Sequence, residues 1–343
     1  MSALQDLDPS LGCDIFTTVP RWFFAQSLKG PFAYESLLTD VGFIQKTPLL
    51  VDLQETVLRL NAFFPLDRSR IRPLADEIKR RGCRMVICDI AAMGIAVARE
   101  AGVPSVLIEN FTWDWMYGGY LEEAPQMERH ILYLRELFES VDFHIQTVPL
   151  CSPKNKDLTA LPISRRPRTS PRAVRKKLGI PLDAKMVMIT MGGIPARFPF
   201  LEQLEACGDV SFVLSGGSDQ ARSRKNPNKN LVLLPQHSAF FHPDLVHASD
   251  AVIGKAGYST IAEVFSAGIP FGYVPRKGFP ESEALESFIR KEMPAAGLDE
   301  EAFHGGAWLQ KLPGLLDLAP IERKGPHGAD QAARFIYDLL STP

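Results

Sequence analysis

The chain has 343 residues, 45% of them hydrophobic and 23% charged, the composition of a soluble globular protein with material for two cores of ordinary size. Its formal charge of -2 argues against nucleic acid as a partner, which needs a basic excess on one face. The five cysteines, Cys13, Cys83, Cys88, Cys151 and Cys207, lack any C-x-x-C pair, which fits reduced thiols better than a disulfide framework or a zinc site.

The start, Met1 to Asp8, is short, acidic and polar, unlike a signal peptide. No run of about 18 apolar residues follows, so no transmembrane segment is expected and a cytoplasmic location is the reading. Cys13–Val19 reads as a strand ended by Pro20, and Leu49 to about Arg81 as helical, interrupted near Pro65. Arg84–Asp89 is a short apolar run closing on an acid, as a buried parallel strand would. Gly94–Ala101 reads as a helix, Ser105–Ile108 as a strand, Ala124–Ser140 as a helix and Asp142–Val148 as a strand. Alternating units of this kind imply an α/β fold with a mostly parallel sheet covered on both faces.

Cys151 to Pro171 is rich in proline, serine and base without a periodic apolar pattern, and reads as an interdomain linker. Its basic cluster is either a solvated connection or a device steering an anion toward the cleft. Lys185–Thr190, Ser211–Leu214, Leu231–Leu234 and Ala251–Ile253 then read as strands, and Gly328 to about Leu340 as an amphipathic helix. The division is residues 1–150 as an amino-terminal domain, 151–175 as linker, 176–325 as a carboxyl-terminal domain and 326–343 as a final helix.

The most informative segment is Asp250-Ala-Val-Ile-Gly-Lys-Ala-Gly-Tyr-Ser-Thr-Ile-Ala-Glu263, a strand, a two-glycine loop and a helix, followed by the strand Pro270–Pro275. Glycines let backbone N–H groups approach a ligand, and a helix N-terminus favours negative charge, so the turn suits a diphosphate. Glu263, one turn further in, would accept hydrogen bonds from ribose hydroxyls. Thr260-x-x-Glu263 is also a capping box, in which the same two side chains serve the helix itself. Both readings stay open. Gly192-Gly193 and Gly216-Gly217 follow two neighbouring strands, so three glycine turns point to one cleft at the carboxyl ends of a parallel sheet. His237, His242 and His247 recur every five residues, about 140° apart on a helix, and do not make a metal site.

These segments resemble the GT-B glycosyltransferases, in which two Rossmann-like domains face a cleft and the carboxyl-terminal one holds a nucleotide sugar. The carboxyl-terminal half is similar to the family of the bacterial N-acetylglucosaminyltransferase of lipid II synthesis. Ser105–Tyr117, Gly192-Gly193, Ala248–Glu263 and, more loosely, Phe279–Glu283 resemble the glycosyltransferase-like domain of plant-type L-arabinokinases. The resemblance implies that Gly257, Ser259 and Thr260 hold the diphosphate and Glu263 the ribose, with Gly192 and Gly193 allowing close approach. It places Gln236, in Leu234-Pro-Gln-His237, near the base, and Glu281 and Glu283 at the sugar hydroxyls. Lys255 either neutralises phosphate or is a surface lysine. Asp89 is the mechanistic candidate, or else a strand-end carboxylate capping the next helix. Asn110, Trp113 and Asp114 would face the acceptor, with the aromatic ring stacking on a sugar or packing against protein.

The resemblance also implies a deficit. Its members begin with a strand, a Gly/His-rich loop and a helix, whereas Met1 to Leu7 here looks like the tail of that first helix, and no histidine precedes His130. A lost central strand would expose two sheet edges. The expectation is an inverting, metal-independent transferase using a UDP-sugar donor, no cofactor and an unidentified acceptor, shortened at its amino end. The rivals are a sugar-nucleotide-binding module without turnover and a UDP-sugar epimerase.

Overall fold

The computed structural model describes residues 1–192, 198–216, 230–235 and 237–341. In the amino-terminal half, strands β1 (Cys13–Phe16) and β2 (Phe32–Glu35) form a parallel pair, and β3 (Gln45–Thr47) and β4 (Leu50–Val51) a short antiparallel one. A four-stranded parallel sheet follows in the order β5 (Val86–Asp89), β6 (Ser105–Glu109), β7 (Phe143–Thr147) and β8 (Leu158–Ala160). The helical stretch expected over Leu49 to Arg81, interrupted near Pro65, is two helices, Leu53–Phe63 and Arg68–Arg80, each opened by an aspartate, Asp52 or Asp67, whose side chain accepts a first-turn N–H.

The carboxyl-terminal half is one six-stranded, wholly parallel sheet: β9 (Lys185–Thr190), β10 (Val210–Ser215), β11 (Leu231–Leu234), β12 (Ala251–Lys255), β13 (Phe271–Val274) and β14 (Ala295–Gly297). Their spatial order, β11-β10-β9-β12-β13-β14, reverses between β9 and β12. At such a reversal the following connections leave to opposite faces and open a crevice beyond the strand ends. Val187, Ile189 and Ile253 bury one face of this sheet while Met186, Met188 and Val252 bury the other, which is why its strands read as unbroken apolar runs. Asp250 pins the start of β12 by accepting from the Met186 amide at 2.7 Å and from Arg175 Nη2 at 2.7 Å.

One expectation needs correction. The stretch taken as linker contains β8, which pairs with β7 over Leu158–Ala160, and the helix Pro171–Leu178 starts inside it. A three-residue strand is too short for its alternation to show in sequence. The helix Gly328–Ser341 returns to the amino-terminal half, where Ala332, Ala333 and Ile336 pack on Ala3, Leu4, Val106, Ile145 and Ala160. Among the described residues no helix is long and apolar enough to cross a membrane.

Among the described residues β1 pairs only with β2, and β5 only with β6, so each has an unpaired edge. Side chains tie these two elements instead: Arg81 Nη1 donates to Asp14 Oδ1 at 2.8 Å, and the Cys83 thiol to Asp14 Oδ2 at 3.3 Å.

Candidate active site at the facing sheet edges

The carboxyl ends of the two sheets meet. Tyr258, first residue of the helix Tyr258–Ala267, shares a hydrogen bond with Thr147 at the end of β7 and accepts one from the Ile163 amide at 3.0 Å. Burial first, then the nearby charges of Asp89 and Glu109, push its phenol up to about 12. The glycine bend before this helix therefore faces the amino-terminal half.

Three features make the bend a candidate anion site. Gly257 is the N-cap and brings no side-chain cap, so the amides of Tyr258, Ser259 and Thr260 have no partner among the described residues. Ser259 is exposed, whereas Thr260 is buried with its hydroxyl unpartnered among the described residues. Lys255 runs along the bend: a Cβ on Gly192 would lie 3.3 Å, and one on Gly257 3.6 Å, from its Cε. Burial, with Arg276 nearby and Glu281 opposing, lowers the Lys255 pKa to about 8. Gly192, at the end of β9, has φ +75, and its amide donates to Thr190 Oγ1 at 3.3 Å. Gly254 has a different use: a Cβ there would overlap the Thr190 carbonyl oxygen of β9, so this glycine serves strand packing.

Glu263 does not complete a capping box and is not free. Its Oε2 lies 2.6 Å from His242 Nδ1, and its Oε1 accepts from Arg165 Nη2 at 3.1 Å and Nε at 3.3 Å. Burial pushes its pKa up, but His242 and Arg165 outweigh that and hold it below the ordinary glutamate value. His242 Nε2 is 3.3 Å from Thr190 Oγ1, so the network runs from the helix to the Gly192 turn. The Arg165 guanidinium lies between the rings of Phe23, at 4.4 Å, and Phe241, at 5.0 Å. Trp22 stacks on His237 with centroids 4.4 Å apart. Gly193 and Gln236 lie outside the described residues.

On the amino-terminal wall Asp89 ends β5 with an exposed side chain that has no hydrogen-bond partner among the described residues. Desolvation by its surroundings raises its pKa, against the pull of the Met1 amino group. Asp40 stands near it. Burial, opposed by a hydrogen bond from Trp113 Nε1 at 3.0 Å and aided by the Asp89 charge, raises Asp40 to about 6. Trp113 is thereby committed to protein, stacked on Tyr117 at 5.5 Å and edge-on to Phe43 at 5.8 Å. Asp114 is buried with Oδ2 3.7 Å from Arg135 Nε, and Asn110 Nδ2 donates to Cys151 Sγ at 3.5 Å. Of the three acceptor-side candidates, Asp114 keeps its Oδ1 buried without a hydrogen-bond partner among the described residues.

Glu281 is also engaged: it is buried and accepts from Arg276 Nη1 at 2.6 Å, whereas Glu283 is exposed in the first turn of the helix Ser282–Glu292. Here the halves touch. Tyr120 Oη donates to the Gly278 carbonyl, and Phe43 lies 6.2 Å from Phe279. Sequence reasoning missed Asp40, Arg165, His242, Tyr258 and Arg276. Only Tyr258 and Arg276 carry a local signal, as the first polar groups after buried strands at the ligand-facing edge.

No family model matches the chain. It is 26% identical over 329 residues to the L-arabinokinase of Arabidopsis thaliana, a match covering 94% of the chain and 31% of the relative, so the chain spans about a third of that protein. It is 24% identical over 275 residues to an uncharacterized glycosyltransferase, MK0977, of Methanopyrus kandleri, covering 77% of the chain and 78% of the relative. Among solved structures, a UDP-glucosyltransferase from Polygonum tinctorium superposes with a TM-score of 0.56 at 12% identity, covering 98% of this chain and 99% of that one. With its parallel sheets meeting at their carboxyl ends, the chain has the GT-B glycosyltransferase fold and a distant similarity to L-arabinokinase.

Proposed function

We propose that the protein is an inverting glycosyltransferase whose donor is a nucleotide sugar, with UDP as the nucleotide. The observation that carries this reading is the uncapped N-terminus of the helix Tyr258–Ala267, lying at the reversal point of the six-stranded sheet and opposite Asp89. The free amides of Tyr258, Ser259 and Thr260, with the Lys255 ammonium, stabilise the charge that develops on the departing diphosphate. Asp89 takes the acceptor hydroxyl proton as that oxygen attacks the anomeric carbon from the opposite side. Its raised pKa brings it nearer to that of a competent base, and its exposed carboxylate is unencumbered. The mechanism asks nothing of a metal ion. The name of the Polygonum tinctorium relative supports uridine as the base, and cytoplasmic residence is part of the same proposal.

The test is calorimetry with UDP, GDP and dTDP, followed by Ser259→Ala with Thr260→Ala. UDP should bind, and the double variant should weaken it by about tenfold, as expected for loss of a hydrogen bond to a charged group. Unchanged affinity would leave the hydroxyls without a role in phosphate binding, and no binding of any nucleotide would end the reading.

A second reading, a sugar-nucleotide-binding module without turnover, is favoured by one observation. The positions expected for ribose and base are filled by the protein's own groups, Arg165 on Glu263 and Trp22 on His237. Tight UDP-sugar binding without transfer or donor hydrolysis would select it.

A further inference from the structure

Beyond the glycine bend, the cleft holds a guanidinium whose hydrogens are only partly used. Arg276 follows β13 by two residues and is 6% exposed. Its Nη1 donates to Glu281 Oε1 at 2.6 Å, but Nε and Nη2 are buried without a partner among the described residues. The Phe279 ring covers one face, with Cζ 3.3 Å from its centroid, and Tyr120 and Phe43 close over this corner from the amino-terminal half. The neighbouring strand brings a second cation. Lys255 pairs with Val274 in the β12–β13 register, and its ammonium makes no hydrogen bond or ion pair among the described residues. Two cations thus face one carboxylate, Glu281, at the edge that meets the cleft.

Buried charge without a counter-charge is costly, and a guanidinium with two idle N–H groups more so. Neutral sugar hydroxyls need no such excess. A planar fork held on one side by a carboxylate and on one face by an aromatic ring presents its remaining edge in a fixed direction, the geometry that receives two oxygens of an anion. The diphosphate already has the amides of Tyr258, Ser259 and Thr260, one strand away. We propose that Arg276, with Lys255 standing between it and the diphosphate, forms a second anion subsite, which takes a carboxylate carried by the transferred sugar, so that the donor is a nucleotide-linked uronic acid. The inference rests on the reading of the cleft as a nucleotide-sugar site and names the sugar class. Glu281 orients the guanidinium, and the Tyr120–Gly278 contact must part for the sugar to enter.

The experiment compares UDP, UDP-glucose and UDP-glucuronate by calorimetry on the full chain, wild type and Arg276→Met. UDP-glucuronate should bind about tenfold more tightly than UDP-glucose, the scale of one charge-assisted hydrogen-bonded contact. Arg276→Met should bring that ratio to about one while UDP itself changes by less than about twofold. Should Arg276→Met not fold, Arg276→Gln, which keeps a donor for Glu281 without the charge, should still lower the ratio. Equal binding of the two sugars by the wild type, or a ratio untouched by either substitution, overturns the subsite. If Arg276→Met weakens UDP as much as UDP-glucuronate, the anion is the diphosphate and the inference fails alone. If UDP does not bind, the donor reading fails and takes this one with it.

Discussion

The two sheet edges that face each other are built by different means. On the carboxyl-terminal side six hydrogen-bonded strands reverse order once, and the groups offered to a ligand are mainly backbone: the Gly192 turn and the amides opening the helix Tyr258–Ala267. On the amino-terminal side the sheet has four strands, its neighbour is a separate pair, and the groups offered are carboxylates, Asp89 and Asp40. A backbone site is fixed by strand register and tolerates side-chain change. A side-chain site depends on contacts from far along the chain, such as Trp113 on Asp40, and its chemistry is correspondingly easier to alter.

Four substitutions or conditions test that contrast. The largest effect belongs to the amino-terminal wall: Asp89→Asn should lower transfer by about a hundredfold or more, the usual range for a general base, with UDP affinity unchanged. Because the base must be ionised, the rate should rise with pH through a pKa above the ordinary aspartate value. Wild-type turnover in Asp89→Asn would move the chemistry elsewhere. Next is Gly254→Val, where the new side chain meets the Thr190 backbone; overpacking of this kind costs about 3 kcal/mol, read as a lowered melting temperature. A smaller effect is expected of pH on UDP binding. Lys255, lowered to about 8, is charged at neutral pH and loses its proton above it, so affinity should fall by about fivefold from pH 7 to pH 9. Affinity constant over that interval would place Lys255 away from phosphate. The smallest change should come from Ile87→Thr on β5, 39% exposed beside the unpaired edge, within about 0.5 kcal/mol by the same thermal measurement. A loss as large as that of Gly254→Val would mean that the two edges are equally packed.

The carboxyl-terminal strands were legible because both faces are buried. Lys185–Thr190 and Leu231–Leu234 carry the same bounds in the structure as in the sequence reading. Partners were not legible. Thr260-x-x-Glu263 has the spacing of a capping box, yet Glu263 turns to Arg165, 98 residues away, and His242. Nothing local to Glu263 announces either partner. Trp113 likewise reads equally as a platform for a sugar or as packing until Asp40 and Tyr117 are seen to hold it. The basic stretch read as a solvated or steering linker supplies Arg165 to that buried network and β8 to a sheet.

By itself the sequence determined the alternation of strands and helices and the glycine bend before Tyr258, because each is written in neighbouring residues. Only the tertiary structure decided that this bend faces Asp89, that Glu263 is bound by Arg165 and His242, and that Arg276 is buried with idle N–H groups. Those outcomes depend on which strand ends adjoin after two sheets pack edge to edge, and chain neighbours exert no force that fixes that.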